Sequence, residues 1–425
     1  MKKFILVIAI LFVSFGLAKV PESMLKKTSA YSGTKTLCNI SNWACWVYDN
    51  GLSAHSPDGS SGGFYPRGTA AAIYQDGFMW GGKLDTDGDG VVDNIRVGGQ
   101  NYNSGTVPGW VIAGGDQGEA IVADPDDPAV RVYRIRSDYQ HISDSELLED
   151  AAIQYEVSRM RVTDEMKQAI CDQYELDWEQ WPVEYGAPFY DKDGDGIYTA
   201  GLDEPGIANA DQVVWFVVND FDQTATTSMF GSQPIGLELQ VTIWGYNDKN
   251  SRFGQSIYKS YKLINKSNST IEDMYLSQWS DPDIGSASDD YVGCDTILGL
   301  GYAYNANELD ADYNVYGLPP AAAGYVLLQG PMIESPGDTA YLNFKPRLGY
   351  KNMKMSSFHT FSPTAATADP ELGDYSGTLE YYNMMRGYAR SYDTDNPTPV
   401  HIGNDPDNSI TVYPLSGDPV TGMGD

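Results

Sequence analysis

Short segments in which apolar and polar residues alternate recur along most of this chain, and they constrain its fold more than any other feature. The run 257–264 is the clearest case, and runs 213–218, 237–244 and 273–279 are similar. Such alternation is typical of antiparallel strands with one face in a core and the other in solvent. Turns rich in Gly, Asn and Asp separate the segments. We therefore predict a mainly β protein built from antiparallel β-sandwiches with long loops.

One segment departs from this pattern and predicts a short helical insertion. Residues 142–181 contain neither Gly nor Pro and are rich in helix formers. Thr163 is placed to cap a helix, and Pro182 to end it. The predicted organisation follows from this change in texture: a signal peptide over 1–18, an N-terminal β-rich region over 30–141, a helical segment over 142–182 and a β-sandwich domain over 183–425.

The first residues have the order expected of a secretory signal. Lys2 and Lys3 precede an apolar run over 4–15, and Ala18 offers a small residue for cleavage. A membrane anchor is the alternative, but the run is shorter than the ~20 residues that a span needs. No second long apolar segment follows, so we expect a secreted or outer-surface protein without a membrane span in the mature chain.

Charge excludes several classes of partner. The chain has 27 Lys and Arg against 58 Asp and Glu, a formal net charge of −31. Nucleic acids and anionic membranes require clustered cations, so neither is expected as a partner. The four His are isolated from one another, which leaves zinc chemistry without support.

Four cysteines in an exported chain permit one or two disulfides. Cys38 and Cys45 are close enough in sequence to close a small loop, and we predict a disulfide between them. The partners of Cys171 and Cys294 stay open.

Two acidic loops carry the strongest chemical signal. The first acidic loop (residues 85–93) and the second (residues 191–203) share the pattern D-x-D-G-D-G followed by an apolar residue. Carboxylates at positions 1, 3 and 5 converge when the chain wraps around a cation, and the carbonyl at position 7 adds an oxygen. We predict Ca²⁺ as the cofactor, with two sets of ligands: Asp85, Asp87, Asp89, Val91 and Asp93, then Asp191, Asp193, Asp195, Ile197 and Asp203. The alternative is a pair of solvated Asp-Gly turns.

These loops differ from an EF-hand. Position 12 is Arg96 in the first loop and Leu202 in the second, so the bidentate Glu is missing. Glycines and strand-like segments flank the first loop in place of helices. The loops instead resemble those of thrombospondin type 3 repeats and dockerins, which implies a metal site and nothing about the rest of the chain. We expect a static structural role for calcium.

A third acidic cluster follows the segment that ends at Trp279, so we expect its carboxylates to lie on one loop. It is a weaker candidate metal site, with a solvated acidic loop as the alternative, and comprises Asp281, Asp283, Asp289, Asp290 and Asp295. Two carboxylates across a cleft would suit glycoside hydrolysis. Four acids lie near strand ends, namely Glu238, Glu272, Asp281 and Asp283, but acids are so common here that no catalytic residue is assigned.

A further resemblance rests on segments between residues 214 and 295. The segments are Val214-Trp215-Phe216, Asn219-Asp220, Pro234-Ile235-Gly236-Leu237-Glu238, Tyr261-Lys262-Leu263-Ile264-Asn265-Lys266, Ile271-Glu272-Asp273-Met274-Tyr275, Trp279-Ser280-Asp281-Pro282-Asp283 and Asp289-Asp290-Tyr291-Val292-Gly293-Cys294-Asp295. They resemble large, mostly uncharacterised secreted proteins of Bacteroidota and related bacteria, many of them exported by the type IX system. That resemblance spans about residues 35–425 and implies no particular activity. Such proteins usually end in a sorting β-domain that is not recognisable before Asp425, so we expect either a C-terminally truncated chain or another export route.

Together these features predict a calcium-stabilised structural or binding protein of the cell surface or extracellular space. They leave enzymatic activity open and favour a role without it. A carbohydrate-active protein, either a glycan-binding module or a glycoside hydrolase, is the first alternative. Aromatic side chains can stack on sugar rings, and the candidates are the many Tyr and Trp43, Trp46, Trp80, Trp110, Trp178 and Trp181. A self-assembling matrix or filament subunit is the second alternative. The expected partners are accordingly glycans, other surface proteins or further copies of the chain.

Overall fold

Strands make up most of the regular structure, as the alternating segments predict. The computed structural model describes residues 33–86, 88–116, 118–342, 345–403 and 405–417, so the predicted signal peptide and the last residues lie outside the described part. The strands are β1 (Lys35–Cys38), β2 (Ala44–Tyr48), β3 (Gly63–Phe64), β4 (Ala71–Ile73), β5 (Gln75–Leu84), β6 (Asn94–Gly99), β7 (Val107–Pro108), β8 (Val111–Ala113), β9 (Ile121–Val122), β10 (Tyr133–Arg136), β11 (Phe189–Tyr190), β12 (Glu204–Pro205), β13 (Gln212–Asn219), β14 (Leu237–Gly245), β15 (Tyr258–Asn265), β16 (Glu272–Asp281), β17 (Asp290–Asp295), β18 (Leu300–Asn305), β19 (Ala322–Val326), β20 (Met332–Leu342), β21 (Lys345–Asn352), β22 (Val400–His401) and β23 (Ile410–Thr411). The helices are α1 (Asp144–Gln154), α2 (Asp164–Glu179), α3 (Gln223–Phe230), α4 (Ala311–Val315) and α5 (Tyr375–Met385).

The named strands pair antiparallel throughout, and strand residues outnumber helical ones by two to one, 34% against 17%. This confirms the mainly β prediction. The largest sheet has the order β10-β13-β14-β15, with β7 pairing at the end of β13. A second sheet, β16-β5-β6, contributes Phe78 and Trp80 to the same core as Leu239 and Val241 of β14. The main core therefore lies between side chains of these two sheets.

Strand β13 differs from the half-buried strand that its sequence predicts, because every residue of it is buried. Val214, Phe216 and Val218 enter the core shared with β5 and β14. The opposite face packs against Trp181 and Ala187, which follow α2 along the chain. The helical segment and its exit thus cover the face that a simple sandwich would leave in solvent.

The predicted helical insertion is present as α1 and α2. Ser143 and Glu146 form a capping box at the start of α1, and Thr163 accepts a hydrogen bond from the backbone N–H of Met166, as its N-cap position predicts. The buried guanidinium of Arg134 pairs with Asp150 of α1 and with the hydroxyl of Tyr174 in α2. This ion pair ties the helices to β10.

Other helices were not predicted. Helix α5 is largely buried, and its Tyr381 and Tyr382 pack with Met79 and Val97 of the β16-β5-β6 sheet. Its sequence contains Gly377 and several Tyr, which are modest helix formers, so tertiary packing stabilises it.

Strand pairings cross the predicted domain boundaries. Strand β5 pairs with β16, and β10 pairs with β13, so the N-terminal region shares its sheets with the later part of the chain. The described residues from 33 onward belong to one compact unit. Among the described residues, no helix is both long and apolar enough to span a membrane.

The predicted disulfide between Cys38 and Cys45 is not formed in the described structure, where both residues are buried thiols. The two residues face each other in the β1–β2 ladder. Cys38 packs in the main core, however, whereas Cys45 packs in a neighbouring cluster with Ala54 and Ala72. Burial raises the pKa of both thiols to about 12, so both are protonated at neutral pH.

Candidate metal centre

Each acidic loop closes a β-hairpin. The first acidic loop joins β5 to β6, whose last pair is Leu84 with Asn94. The second joins β11 to β12, whose last pair is Tyr190 with Glu204. The helix–loop–helix setting of an EF-hand is therefore absent from both described loops, as the flanking sequence predicts.

The second acidic loop is wrapped around its own carboxylates. Asp191 at position 1 accepts hydrogen bonds from the backbone N–H groups of Gly194 (2.6 Å) and Gly196 (2.9 Å). Asp195 at position 5 accepts from the N–H of Ile197 at 2.7 Å. Gly194 and Gly196 have φ of +78° and +80°, a left-handed conformation that glycine adopts at little cost. This loop conformation thus requires glycine at positions 4 and 6.

The first acidic loop follows the same scheme. Asp85 accepts from the backbone N–H groups of Gly88 (2.8 Å) and Gly90 (3.0 Å), and Asp89 accepts from Val91 at 2.7 Å. Gly88 and Gly90 have φ of +77° and +86°. Two segments far apart in sequence therefore share one local conformation. Asp87 lies outside the described residues, so the full carboxylate set can be described only in the second loop.

In the second loop three carboxylates converge. One oxygen from each of Asp191, Asp193 and Asp195 lies within 4.8 Å of the other two. The side chains of Asp193 and Asp195 are exposed, and the only neighbouring lysine, Lys192, binds Glu204 at 2.6 Å instead. The described part of the chain thus brings no cation side chain to this cluster.

The pKa values of Asp191 and Asp193 are shifted in opposite directions within this cluster. Hydrogen bonds from the N–H groups of Gly196 and Gly194 lower the pKa of Asp191. The N–H of Asp195 also lowers the pKa of Asp193, but desolvation, the charges of Asp195 and Asp203 and a hydrogen bond to Asp191 together raise it above its usual value. The raised pKa of Asp193 is the behaviour of crowded carboxylates without a counter-charge. A hard divalent cation with oxygen ligands fits this donor set.

Asp203 and Asp93 occupy different environments. Asp203 is only 4% exposed, and its two oxygens accept from the backbone N–H groups of Lys192 (2.9 Å) and Thr199 (2.7 Å). It therefore holds both ends of the second loop together. Asp93 is exposed at the end of the first loop. The side chains of Val91 and Ile197 point outward and are exposed, so only their carbonyls can contribute to a site.

The third cluster is divided by the fold. Asp281 ends β16, whereas Asp289 and Asp290 lie at the start of β17 and Asp295 at its end. A six-residue strand places Asp295 about 17 Å from Asp290, where it accepts from the N–H groups of Ile297 and Leu298. The expectation that all five carboxylates share one loop is therefore wrong.

The remaining carboxylates of this cluster repel one another. Burial and the neighbouring Asp369 raise the pKa of Asp281 to about 6. Burial, Asp281 and Asp290 raise the pKa of Asp283 to about 7. Burial also raises the pKa of Asp290 to about 6, although the N–H of Ile284 opposes this. Their oxygens do not converge on one point as those of the second acidic loop do.

Half of the tryptophan candidates and the candidate catalytic residue Glu238 are core residues. Trp46, Trp80 and Trp181 are buried and offer no platform to a sugar, whereas Trp43, Trp110 and Trp178 are half-buried. Glu238 is buried and accepts from the backbone N–H of Val111 at 2.7 Å. Its carboxylate is thus engaged in holding the fold.

One feature of the described surface was missed by sequence reasoning. An open cleft of about 400 Å³ lies beside α5 and the segment that follows it, and it is lined by Ala365, Glu380, Arg390, Ser391, Tyr392, Asp393 and Thr398. These residues lie on and around α5, a helix that the sequence does not predict, and no motif marks them. No family model, curated protein or solved structure matches this chain.

Proposed function

We propose that this chain is a secreted, calcium-stabilised protein of the cell surface or extracellular space, with a structural or binding role. Its leader-like first residues and its resemblance to type IX-exported proteins of Bacteroidota support the location. The acidic composition agrees with an extracellular protein that binds divalent cations and avoids nucleic acids.

A single observation carries the calcium assignment: one carboxylate oxygen from each of three aspartates in the second loop lies within 4.8 Å of the other two. The first loop has the same sequence pattern and the same backbone hydrogen bonds, so we infer a matching site there. In the second loop the convergent oxygens of Asp191, Asp193 and Asp195 would bind Ca²⁺, and the carbonyl of Ile197 would add a ligand. The ion supplies the positive charge that the cluster lacks.

Bound calcium would stabilise the folded hairpins. Extracellular sites of this type have dissociation constants of about 10⁻⁴–10⁻³ M. With calcium at ten times that constant, each site adds about 1.4 kcal/mol to the free energy of unfolding. This is a useful fraction of the total for a folded protein. It suits a permanent structural ion better than a switch.

The experiment compares unfolding in calcium and in EGTA, together with calcium titration by calorimetry. The variant Asp191→Asn/Asp195→Asn keeps oxygen acceptors for the backbone but removes two charges from the second loop. We expect it to lose one of two calcium sites and about half of the calcium-dependent stability.

The matched control is Asp405→Asn. Asp405 also accepts from two backbone N–H groups, those of Asp407 and Ser409, but lies outside both acidic loops. It should bind calcium as the parent protein does. No calcium uptake by the parent, or an equal loss in the two variants, would refute the assignment.

A further inference from the structure

The cleft beside α5 is held in shape by buried side chains. Asn383 of α5 is fully buried, and its amide donates to the carbonyls of Ser391 (2.7 Å) and Asp393 (3.0 Å). The backbone N–H of Ala389 donates to Thr398 O at 2.9 Å, which closes the other side of the segment. The walls of this cleft, the Tyr392 cleft, are therefore preformed.

The floor of the Tyr392 cleft is polar and charged. Glu380 is 6% exposed, and its Oε2 accepts from the backbone N–H of Glu371 at 3.1 Å and lies 3.1 Å from Arg390 Nε. Arg390 Nη2 lies 3.4 Å from a carboxylate oxygen of Glu371. The guanidinium that lines the cleft is thus held in place by two carboxylates, and these two contacts do not use all of its five N–H groups.

The rim adds an aromatic ring and further polar groups. Tyr392 is 69% exposed, so one face of its ring is open to solvent. Ser391 and Thr398 contribute hydroxyls to the lining. Asp393 Oδ1 accepts from the N–H of Asn396 at 2.8 Å, which orients the carboxylate. Donors, acceptors and an aromatic face therefore meet in one concavity.

We propose that the Tyr392 cleft binds a neutral saccharide. Sugar hydroxyls both donate and accept, so they can pair with a guanidinium and with carboxylates at the same time. The C–H face of a sugar ring packs on an aromatic ring. The volume lies within the ~300–1,000 Å³ of small-ligand sites and suits a short saccharide. An anionic sugar would meet Glu380, Asp393 and the net negative charge of the chain.

This site goes beyond the calcium-stabilised role and does not depend on it. No residue of either acidic loop lines the cleft. Binding is therefore measured with calcium present throughout, and failure here leaves the calcium test unaffected.

The experiment titrates the full chain by calorimetry with cellobiose, maltose, mannobiose and chitobiose as neutral probes, and with glucuronic acid as an anionic probe. We expect at least one neutral probe to bind, and Tyr392→Ala to weaken it about tenfold through loss of ring stacking. Arg390→Lys keeps the charge but loses the planar fork, and should weaken binding while the thermal unfolding curve stays close to that of the parent.

The matched control is Tyr316→Ala, which removes a comparably exposed tyrosine, 51% exposed, that does not line the cleft. It should bind as the parent does. The proposal is overturned if none of the neutral probes binds at tens of millimolar, if only glucuronic acid binds, or if the two tyrosine variants weaken binding equally.

Discussion

At the scale of single residues, aspartate has two distinct roles in the acidic loops. Asp191 and Asp195 wrap the backbone and present oxygens to the loop centre, whereas Asp203 is buried and binds two backbone N–H groups. The sequence places all of them in one candidate ligand set. Burial distinguishes Asp203, which binds only the backbone here, from Asp191 and Asp195, which also turn oxygens toward the loop centre.

Replacing Asp203 tests this distinction. Asp203→Ala leaves the N–H groups of Lys192 and Thr199 without partners, and we expect it to lower the free energy of unfolding by about 2–4 kcal/mol even in EGTA. Asp93→Ala, which removes an exposed carboxylate, should change it by less than about 0.5 kcal/mol. Urea unfolding of both variants in EGTA measures the difference, and equal effects would contradict the anchoring role.

At the scale of elements, two strand ends hold three carboxylates of the third acidic cluster close together. The end of β16 and the start of β17 place Asp281, Asp283 and Asp290 in mutual repulsion, with folded pKa values of about 6, 7 and 6. Unfolded aspartates titrate near ~3.9. At pH values between the unfolded and folded pKa, these carboxyls are therefore protonated in the folded state and ionised in the unfolded state.

This difference predicts a pH dependence of stability. A raised carboxyl pKa stabilises the fold fully below the unfolded value, and that contribution disappears as the pH rises through the folded value. We therefore expect the free energy of unfolding to fall as the pH rises from about 4 to about 7. Asp283→Asn should reduce this loss, whereas Asp338→Asn, at an exposed position in β20, should not. Urea unfolding at pH 5 and pH 7.5 measures it, and parallel pH profiles for Asp283→Asn and the parent would contradict it.

At the scale of the whole molecule, a buried network joins three sheets. Lys259 of β15 donates to both carboxylate oxygens of Asp76 in β5, at 2.7 and 2.6 Å, and to Ser53 at 2.9 Å. Tyr325 of β19 donates to the same carboxylate at 2.6 Å. The network crosses the predicted domain boundaries, in agreement with the sharing of sheets between the N-terminal and later regions.

Removing the cation of this network should affect the entire fold. Lys259→Met leaves Asp76 buried without its counter-charge, and we expect a loss of about 3–5 kcal/mol. Lys262→Met on the same strand, where the side chain is exposed, is the matched control and should be nearly neutral. Denaturant unfolding compares them, and a small effect of Lys259→Met would show that Asp76 is solvated.

The sequence predicts what is locally encoded. The alternating runs predict the antiparallel strands, Thr163 and Pro182 delimit α2, and the Asp-Gly pattern predicts the wrapped loops. Long-range packing is not locally encoded. The cover over β13, the helix α5 and the Tyr392 cleft all depend on segments that meet only in the folded chain. The spacing of Cys38 and Cys45 likewise does not show that they pack in two different core clusters, because those clusters form from distant segments.

The two acidic loops follow strands that contribute unequally to the hydrophobic core. Strand β5, which leads into the first loop, carries Phe78 and Trp80 into the main core, whereas β11 and β12 form a separate two-residue ribbon. An ion at the first loop would bind next to a strand that packs in the main core. An ion at the second loop would stabilise little besides the β11–β12 ribbon. Calcium depletion would therefore begin as peripheral fraying around residues 189–205, with amide exchange rising there while the interior stays protected.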